Sequence, residues 1–175
     1  MLKLGVQHTR PMLNTCTPGL LASLKPLSSP HEGAGGGLAL ALLRVHHIGL
    51  AVEDLNKALE FFSGVLGLEV ERTVVVEEQD MRAAWLRLGD LWLELMEPLS
   101  PNGPVGRFLA RRGKGVHHVA VLVDDIMATC EELKRAGIRL VYEEPRRGHD
   151  GALYNFIHPK AAHGVLLELR QEPGG

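Results

Sequence analysis

An eleven-residue segment of this chain occurs twice. Residues 45–55 and 116–126 match in residue type at every position and are identical at five positions, with an offset of 71 residues. A second pair, residues 91–95 and 165–169, matches at an offset of 74. Self-similarity that runs from the start to the end of a segment indicates an internal duplication. We therefore expect one structural module to be present twice.

Each copy has the pattern of one strand, one helix and three further strands. An apolar strand is followed by an aspartate that can cap a helix, and later apolar residues recur at the i, i+3, i+4, i+7 spacing of a helical face. These residues are Leu55, Ala58, Leu59 and Phe62 in the first copy and Ile126, Thr129, Cys130 and Leu133 in the second. Gly67 and Gly137 follow the helices, and three strand-like stretches come after each. The sequence predicts an α+β fold of two tandem βαβββ modules.

The duplicated domain is expected to span residues 44–172, with modules at about 44–98 and 115–171 and a linker at 99–114. A module of about 55 residues with one helix cannot cover both faces of its own sheet. The two copies are therefore expected to pair, either within one chain or across a dimer.

The first 43 residues differ in composition from the rest. Residues 1–44 contain one acidic residue, Glu32, against four basic residues, together with four prolines and the glycine-rich run at 33–37. Neither a helical nor a strand period is present there. We predict a disordered or poorly ordered extension at residues 1–43. An organellar transit peptide is the alternative, although its prolines and glycines would break an amphipathic helix.

Composition excludes several classes of protein. Apolar residues make up 45% and charged residues 23%, as in globular domains. The longest uninterrupted apolar run, residues 38–43, is far shorter than the roughly twenty residues of a membrane-spanning helix. The net charge of −2 gives phosphate backbones no attraction. We therefore expect no membrane and no nucleic-acid partner.

The cysteines indicate the compartment. Cys16 and Cys130 form no C-x-x-C pair, so neither a disulfide framework nor a thiolate zinc site is predicted. A reducing compartment fits this usage. We expect a cytoplasmic protein, or a mitochondrial matrix protein if residues 1–43 are a transit peptide.

The repeated strand places one histidine of each copy beside small residues. Alternate residues of a strand share a face, so His47 lies with Gly49, and His118 with Ala120. Small neighbours leave space above the sheet next to each imidazole. The sequence therefore predicts a site on this face.

Two glutamates occupy equivalent places in otherwise apolar strands. A carboxylate there needs a compensating partner, because the desolvation of an isolated charge is costly. Two imidazoles and two carboxylates suit a divalent ion such as Co, Mn, Ni, Zn or Fe(II), with two coordination positions left open in a six-fold site. The four candidate ligands are His47, Glu94, His118 and Glu168.

The remaining histidines are expected to be structural or exposed. His46 and His117 are one residue away from the site histidines and should face the helix or solvent. Surface positions are expected for His149, His158 and His163.

Over residues 44–171 the chain resembles the vicinal oxygen chelate superfamily, which includes glyoxalases, bleomycin resistance proteins and dioxygenases, and within it the methylmalonyl-CoA epimerase family. The stretches that carry the resemblance are VHHIGLAV at 45–52, GVHHVA at 115–120, NFIHPK at 155–160 and GVLLEL at 164–169. It implies a curved, partly closed barrel around a metal site, a homodimer, and metal ligands at the four positions named above. At Glu94 some family members carry Gln.

The resemblance implies inversion of the carbon next to the thioester carbonyl of methylmalonyl-CoA, by proton abstraction and redelivery through a metal-stabilised enolate. It makes Glu168 the acid–base group on one side, whereas the position at which some epimerases have a second Glu falls on Ala83. Inversion needs a second group. The substitutes are Asp80, Glu78, Glu77, His149 and a metal-bound water, and the candidates for contacting the coenzyme's phosphates are Arg146, Arg147 and Lys160.

Three other functions compete. Glyoxalase I, or lactoylglutathione lyase, uses two His and two Glu on the same scaffold, although the HPK and GVLLEL stretches favour the epimerase. An extradiol dioxygenase uses two His and one Glu, which would leave Glu94 unexplained. The same fold also serves as a metal-free resistance protein that binds small molecules without chemistry.

Overall fold

The computed structural model describes residues 42–174, which form eight strands and three α-helices. The strands are β1 Leu42–Ala51, β2 Val70–Val76, β3 Met81–Leu88, β4 Leu91–Pro98, β5 Gly115–Val123, β6 Arg146–Arg147, β7 Leu153–Ile157 and β8 Leu167–Gln171. The helices are α1 Leu55–Leu59, continued by a π-helical segment at Glu60–Val65, α2 Pro104–Arg112 and α3 Ile126–Arg135, and a 3-10 turn lies at Glu77–Gln79. None of the helices in this part of the chain is long and apolar enough to cross a bilayer. The extension expected at residues 1–43 lies, apart from its last two residues, outside the described part.

All eight strands belong to one sheet, in the order β2-β3-β4-β1-β5-β8-β7-β6. The first four strands with α1 make one βαβββ module, and the last four with α3 make the other. In each module the first strand pairs in parallel with the fourth, and β1 and β5 pair antiparallel at the centre. The predicted α+β fold of two tandem modules that share a curved, partly closed sheet is confirmed. The copies pair within one chain.

The two repeated helices follow the predicted pattern. Asp54 caps α1 by accepting a hydrogen bond from the backbone N–H of Lys57 at 3.0 Å, and Asp125 caps α3 by accepting from Ala128 at 2.9 Å. The apolar face of α3 is buried against β5, β7 and β8, and that of α1 packs against β3 and β4. Strand residues with even numbers in β1, among them Ile48 and Leu50, join the α1 cluster. One face of the sheet therefore packs against the two helices.

The segment that was predicted to be a linker contains a helix that was not expected there. Helix α2 has Pro104 in its first turn and packs through Val105, Phe108 and Leu109 against a cluster that includes Ala51 and Met96. Ala51 lies on the same face of β1 as His47. Helix α2 therefore covers part of the face opposite to α1 and α3, and it becomes one wall of the cavity there.

Candidate metal centre

Four neighbouring strands at the centre of the sheet each contribute one polar side chain to the same face. His47 comes from β1, Glu94 from β4, His118 from β5 and Glu168 from β8. The strand register arranges them in two rows, each with a small residue in the middle. The rows are Glu94–Gly49–His118 and His47–Ala120–Glu168. Each module supplies one imidazole and one carboxylate, as the duplication predicts.

The ends of these four side chains lie close together. The Nε2 atoms of His47 and His118 are 2.8 Å apart. Glu94 Oε2 is 3.6 Å from both nitrogens, and Glu168 Oε2 is 3.7 Å from that of His47 and 3.3 Å from that of His118. His47, His118 and Glu168 form a group whose ligand atoms all lie within 4.8 Å of one another, to which Glu94 adds its contacts with both rings.

This spacing fits a metal ion. Nitrogen and oxygen ligands at about 2.0–2.2 Å from a central ion are separated by about 3 Å when they are adjacent. Two Nε2 atoms at 2.8 Å either share a proton or direct their lone pairs at a common cation. The donor set of two imidazoles and two carboxylates is one that divalent transition metals bind.

Burial makes the charged form of each of these groups unfavourable. Exposed fractions are 2% for His47, 5% for Glu94 and His118, and 6% for Glu168. Desolvation raises the pKa of Glu94 to about 7, and desolvation together with the charge of Glu94 raises the pKa of Glu168 to about 8. Desolvation also lowers the pKa of His118 to about 3 and that of His47 well below its usual value. Neutral imidazoles are the ligand form, and buried carboxylates are stabilised by a cation between them.

The nearby guanidinium of Arg170 does not fill that role. Arg170 is buried, and its nitrogens donate to Asp150 Oδ2 at 2.6 Å and to Glu172 Oε1 at 2.8 Å. These two carboxylates already compensate its charge. Arg170 lowers the pKa values of Glu94 and Glu168 but does not outweigh their burial, so a further cation would be needed to hold both groups in the ionised form.

The four side chains lie in the wall of a cavity of about 570 Å³. Apolar side chains such as Met96 and Phe156 form much of its lining, and helix α2 closes one side. Trp85 also lines it, and its buried indole N–H finds no hydrogen-bond acceptor among residues 42–174. A cavity of this size with a few convergent polar groups is typical of a small-molecule site.

Of the proposed second acid–base groups, Glu78 and His149 line the cavity. Ala83 is fully buried in the core beside α2, and the Asp80 carboxylate accepts a hydrogen bond from the Ser100 hydroxyl. Of the predicted phosphate contacts, Arg146 and Arg147 line this cavity. The third, Lys160, lines a neighbouring groove of about 630 Å³ together with Arg107, Arg111 and Arg112.

The expected placement of His46 and His117 is wrong. His46 Nδ1 is 2.8 Å from His47 Nδ1, and His117 Nδ1 is 3.0 Å from His118 Nδ1, so both rings contact the candidate ligands. Strict alternation along a strand does not allow this arrangement. The signal that could have found these contacts is the presence of a His-His pair in both copies. Burial is the main cause that lowers the pKa of each of the two to about 4, and they are therefore neutral.

Gly49→Ala tests how tightly the two rows are packed. A Cβ at position 49 would lie 2.3 Å from Cε1 of His118, so the ring has to move. We expect the free energy of unfolding to fall by about 1–3 kcal/mol, the usual cost of overpacking, as measured by urea denaturation of the metal-free protein. Gly64→Ala is the control, since its Cβ meets nothing within 4 Å. Equal stability of the Gly49→Ala and wild-type proteins would contradict the packing described here.

Comparison with known proteins identifies one superfamily and two kinds of similar enzyme. Residues 46–156 match the glyoxalase/bleomycin resistance protein/dioxygenase superfamily. The chain is 38% identical over 144 residues to the mitochondrial methylmalonyl-CoA epimerase of Bos taurus. This alignment covers 82% of this chain and 81% of that protein. It is 33% identical over 128 residues to a probable lactoylglutathione lyase of Vibrio cholerae, over 73% of this chain and 90% of that protein.

A solved structure extends the similarity to three dimensions. A variant of Streptomyces coelicolor methylmalonyl-CoA epimerase, in complex with 2-nitronate-propionyl-CoA, superposes with a TM-score of 0.73 at 41% sequence identity. The match covers 77% of this chain and 97% of the Streptomyces chain.

Proposed function

Since the chain belongs to the glyoxalase/bleomycin resistance protein/dioxygenase superfamily, we propose that it is a metal-dependent epimerase that inverts the α-carbon of methylmalonyl-CoA. The observation that carries the proposal is the convergence of two imidazoles and two buried carboxylates in the wall of a cavity. The similarity to methylmalonyl-CoA epimerases at 37–41% identity supports this substrate.

His47, Glu94, His118 and Glu168 are the residues that would hold the ion. When bound, a divalent ion supplies positive charge next to the oxygen on which negative charge develops as the α-proton leaves. The two carboxylates neutralise a 2+ charge, so that the filled site carries no net charge inside the protein.

The protein's own groups move the proton. We assign the first transfer to Glu168: the C–H bond of the α-carbon breaks, its electron pair delocalises onto the thioester as an enolate, and the proton passes to the carboxylate. Burial and the nearby Glu94 raise the pKa of Glu168 to about 8 when no ion is bound, whereas a coordinated cation favours the ionised carboxylate, which is the form that accepts the α-proton. Return of a proton to the opposite face completes the inversion. Glu78 and His149, which line the same cavity, are the candidates for this second transfer.

The apolar part of the cavity wall also affects the reaction. Apolar neighbours such as Met96 and Phe156 exclude water, which strengthens electrostatic interactions in the site.

Solvent exchange at the α-carbon tests this function. In D2O, with a divalent ion supplied, we expect the protein to accelerate deuterium uptake into methylmalonyl-CoA, measured by mass spectrometry against a protein-free control. A chelator should abolish the acceleration, and metal analysis of the purified protein identifies the ion. If methylmalonyl-CoA gains no deuterium while the glutathione hemithioacetal of methylglyoxal is isomerised, the protein is a glyoxalase I. Binding of small molecules without either reaction or metal would indicate a resistance protein.

Three further expectations belong to this proposal. The identity of the ion, a homodimer in solution and a cytoplasmic or mitochondrial location are predictions for metal analysis, sedimentation and localisation of the tagged full chain, respectively.

A further inference from the structure

The first histidine of each His-His pair has no part in the function proposed above. His46 and His117 recur at equivalent positions in the two modules, yet neither belongs to the four candidate ligands. Both lie next to the ring that follows them in the chain. Their repeated position calls for a physical role.

A β-bulge in each module explains how two successive rings come together. Val45 pairs with Val121 and His47 with Ala120, so that two steps along β1 match one step along β5 and His46 is the extra residue. On the opposite strand, Gly49 pairs with His118 and Leu50 with Val116, which makes His117 the extra residue of β5. Bulges break the alternation of faces and redirect side chains. The two bulges are related by the same internal symmetry as the ligands.

The bulges bring the Nδ1 atoms of each pair within hydrogen-bond distance. His46 Nδ1 is 2.8 Å from His47 Nδ1, and His117 Nδ1 is 3.0 Å from His118 Nδ1. In such a contact one nitrogen carries the hydrogen and the other accepts it. The Nε2 atoms of His47 and His118 face each other and the two carboxylates. If Nδ1 of each ligand histidine is the donor, its Nε2 keeps a free lone pair directed into the site.

The surroundings of His46 favour this direction of the hydrogen bond. An imidazole that accepts through Nδ1 carries its own hydrogen on Nε2. His46 Nε2 is 3.3 Å from Glu172 Oε1, a carboxylate oxygen that can accept that hydrogen. Glu172 is held in turn by Arg170, which donates to it at 2.8 Å. In known metal sites a carboxylate commonly orients the ligand histidine directly, whereas here Glu172 would orient His46, which lies one ring behind the candidate ligand His47.

The ring of His117 is held differently. It packs edge-on against Phe108 of α2, with ring centroids 4.8 Å apart. The helix in the linker thus supports the second pair, whereas the C-terminal end of the chain supports the first.

We propose that His46 and His117 are positioning residues: each accepts a hydrogen bond from Nδ1 of the following histidine and so fixes the tautomer and ring orientation in which Nε2 binds the metal ion. This rests on the proposed assignment of His47 and His118 as ligands. Loss of such a supporting partner typically weakens metal binding about 10- to 100-fold.

Substitutions that separate hydrogen bonding from packing test the proposal. His46→Leu and His117→Leu keep much of the volume and remove the acceptor, whereas His46→Asn and His117→Asn retain a carbonyl oxygen near the position of Nδ1. We expect each Leu variant to bind Co²⁺ about 10- to 100-fold more weakly in a titration followed by visible absorption, and each Asn variant to recover most of the loss. His158→Leu is the control, because His158 Nδ1 accepts from the Lys160 backbone N–H, within its own turn.

A spectroscopic measurement separates this proposal from a purely structural role. With ¹⁵N-labelled histidine, the zinc-loaded protein should show nitrogen–nitrogen coupling through the hydrogen bond between the two Nδ1 atoms of each pair, with the hydrogen on His47 and on His118. Absence of this coupling, or Leu variants that bind Co²⁺ as tightly as the wild type, would overturn the proposal. If the wild-type protein takes up neither ion, the proposed function fails, and the same coupling measured in the metal-free protein still decides whether the pairs are hydrogen bonded in this direction.

Discussion

His118→Ala is expected to lower the affinity for divalent ions by more than about 100-fold, beyond the loss that removal of a supporting partner causes. The substitution removes one of four donor atoms and leaves Glu94 and Glu168 with fewer groups to share a cation. Titration with Co²⁺ measures the loss, and epimerisation should fall with it at low free metal. The fold should persist, because the ring faces the cavity and not the cores beneath α1 and α3. His47→Ala should behave in the same way.

The control for this experiment is His163→Asn. His163 is exposed and has a positive φ of 50°, which asparagine tolerates. It should bind Co²⁺ like the wild type. Retention of wild-type affinity by His118→Ala would show that the four converging side chains are not a metal site.

Glu168→Gln is expected to reduce the rate of epimerisation about 100- to 10,000-fold, the range typical of a lost acid–base group. The amide keeps the size of the side chain and an oxygen that can remain a ligand, but it cannot accept the α-proton. Metal affinity should therefore fall much less than in His118→Ala. Rates measured at saturating metal, together with deuterium uptake at the α-carbon, separate the two effects.

Glu94→Gln provides the matched comparison. It is the same substitution at the equivalent position of the other module, and in our assignment Glu94 is a ligand without a proton-transfer role. Its loss of turnover at saturating metal should be far smaller than that of Glu168→Gln. Equal losses in the two variants would mean that Glu168 acts only as a ligand.

The duplication made the fold and most of the candidate site predictable. The two-residue period holds through residues 48–52, and the 3.6-residue period holds through α3, whose predicted apolar face is buried. The first repeated helix continues into a π-helical segment, and of its predicted face Leu55 is buried and the rest is partly buried. The four polar residues on the other face were identified because small residues and apolar strands surrounded them. Their convergence then follows from the pairing of β1 with β5, which places Gly49 opposite His118 and His47 opposite Ala120.

The parts that could not be predicted depend on contacts between distant segments. A bulge at His46 is defined only relative to β5, and one at His117 only relative to β1, so neither is visible in its own strand. Helix α2, in contrast, could have been predicted, because a proline opens it and Val105, Phe108 and Leu109 recur at the i, i+3, i+4 spacing of a buried helical face. The guanidinium of Arg170, which is held by Asp150 and Glu172, joins residues from two segments of the second module.

The seam between β1 and β5 has a thermodynamic consequence. Each half of the sheet brings only two of the four donor groups, so an ion that requires all four binds only when both halves are folded and docked. Binding free energy of that kind is lost as soon as either half opens. A bound metal ion would thus stabilise the native state relative to partly unfolded forms. The two copies of the duplicated module would then unfold together in one cooperative transition.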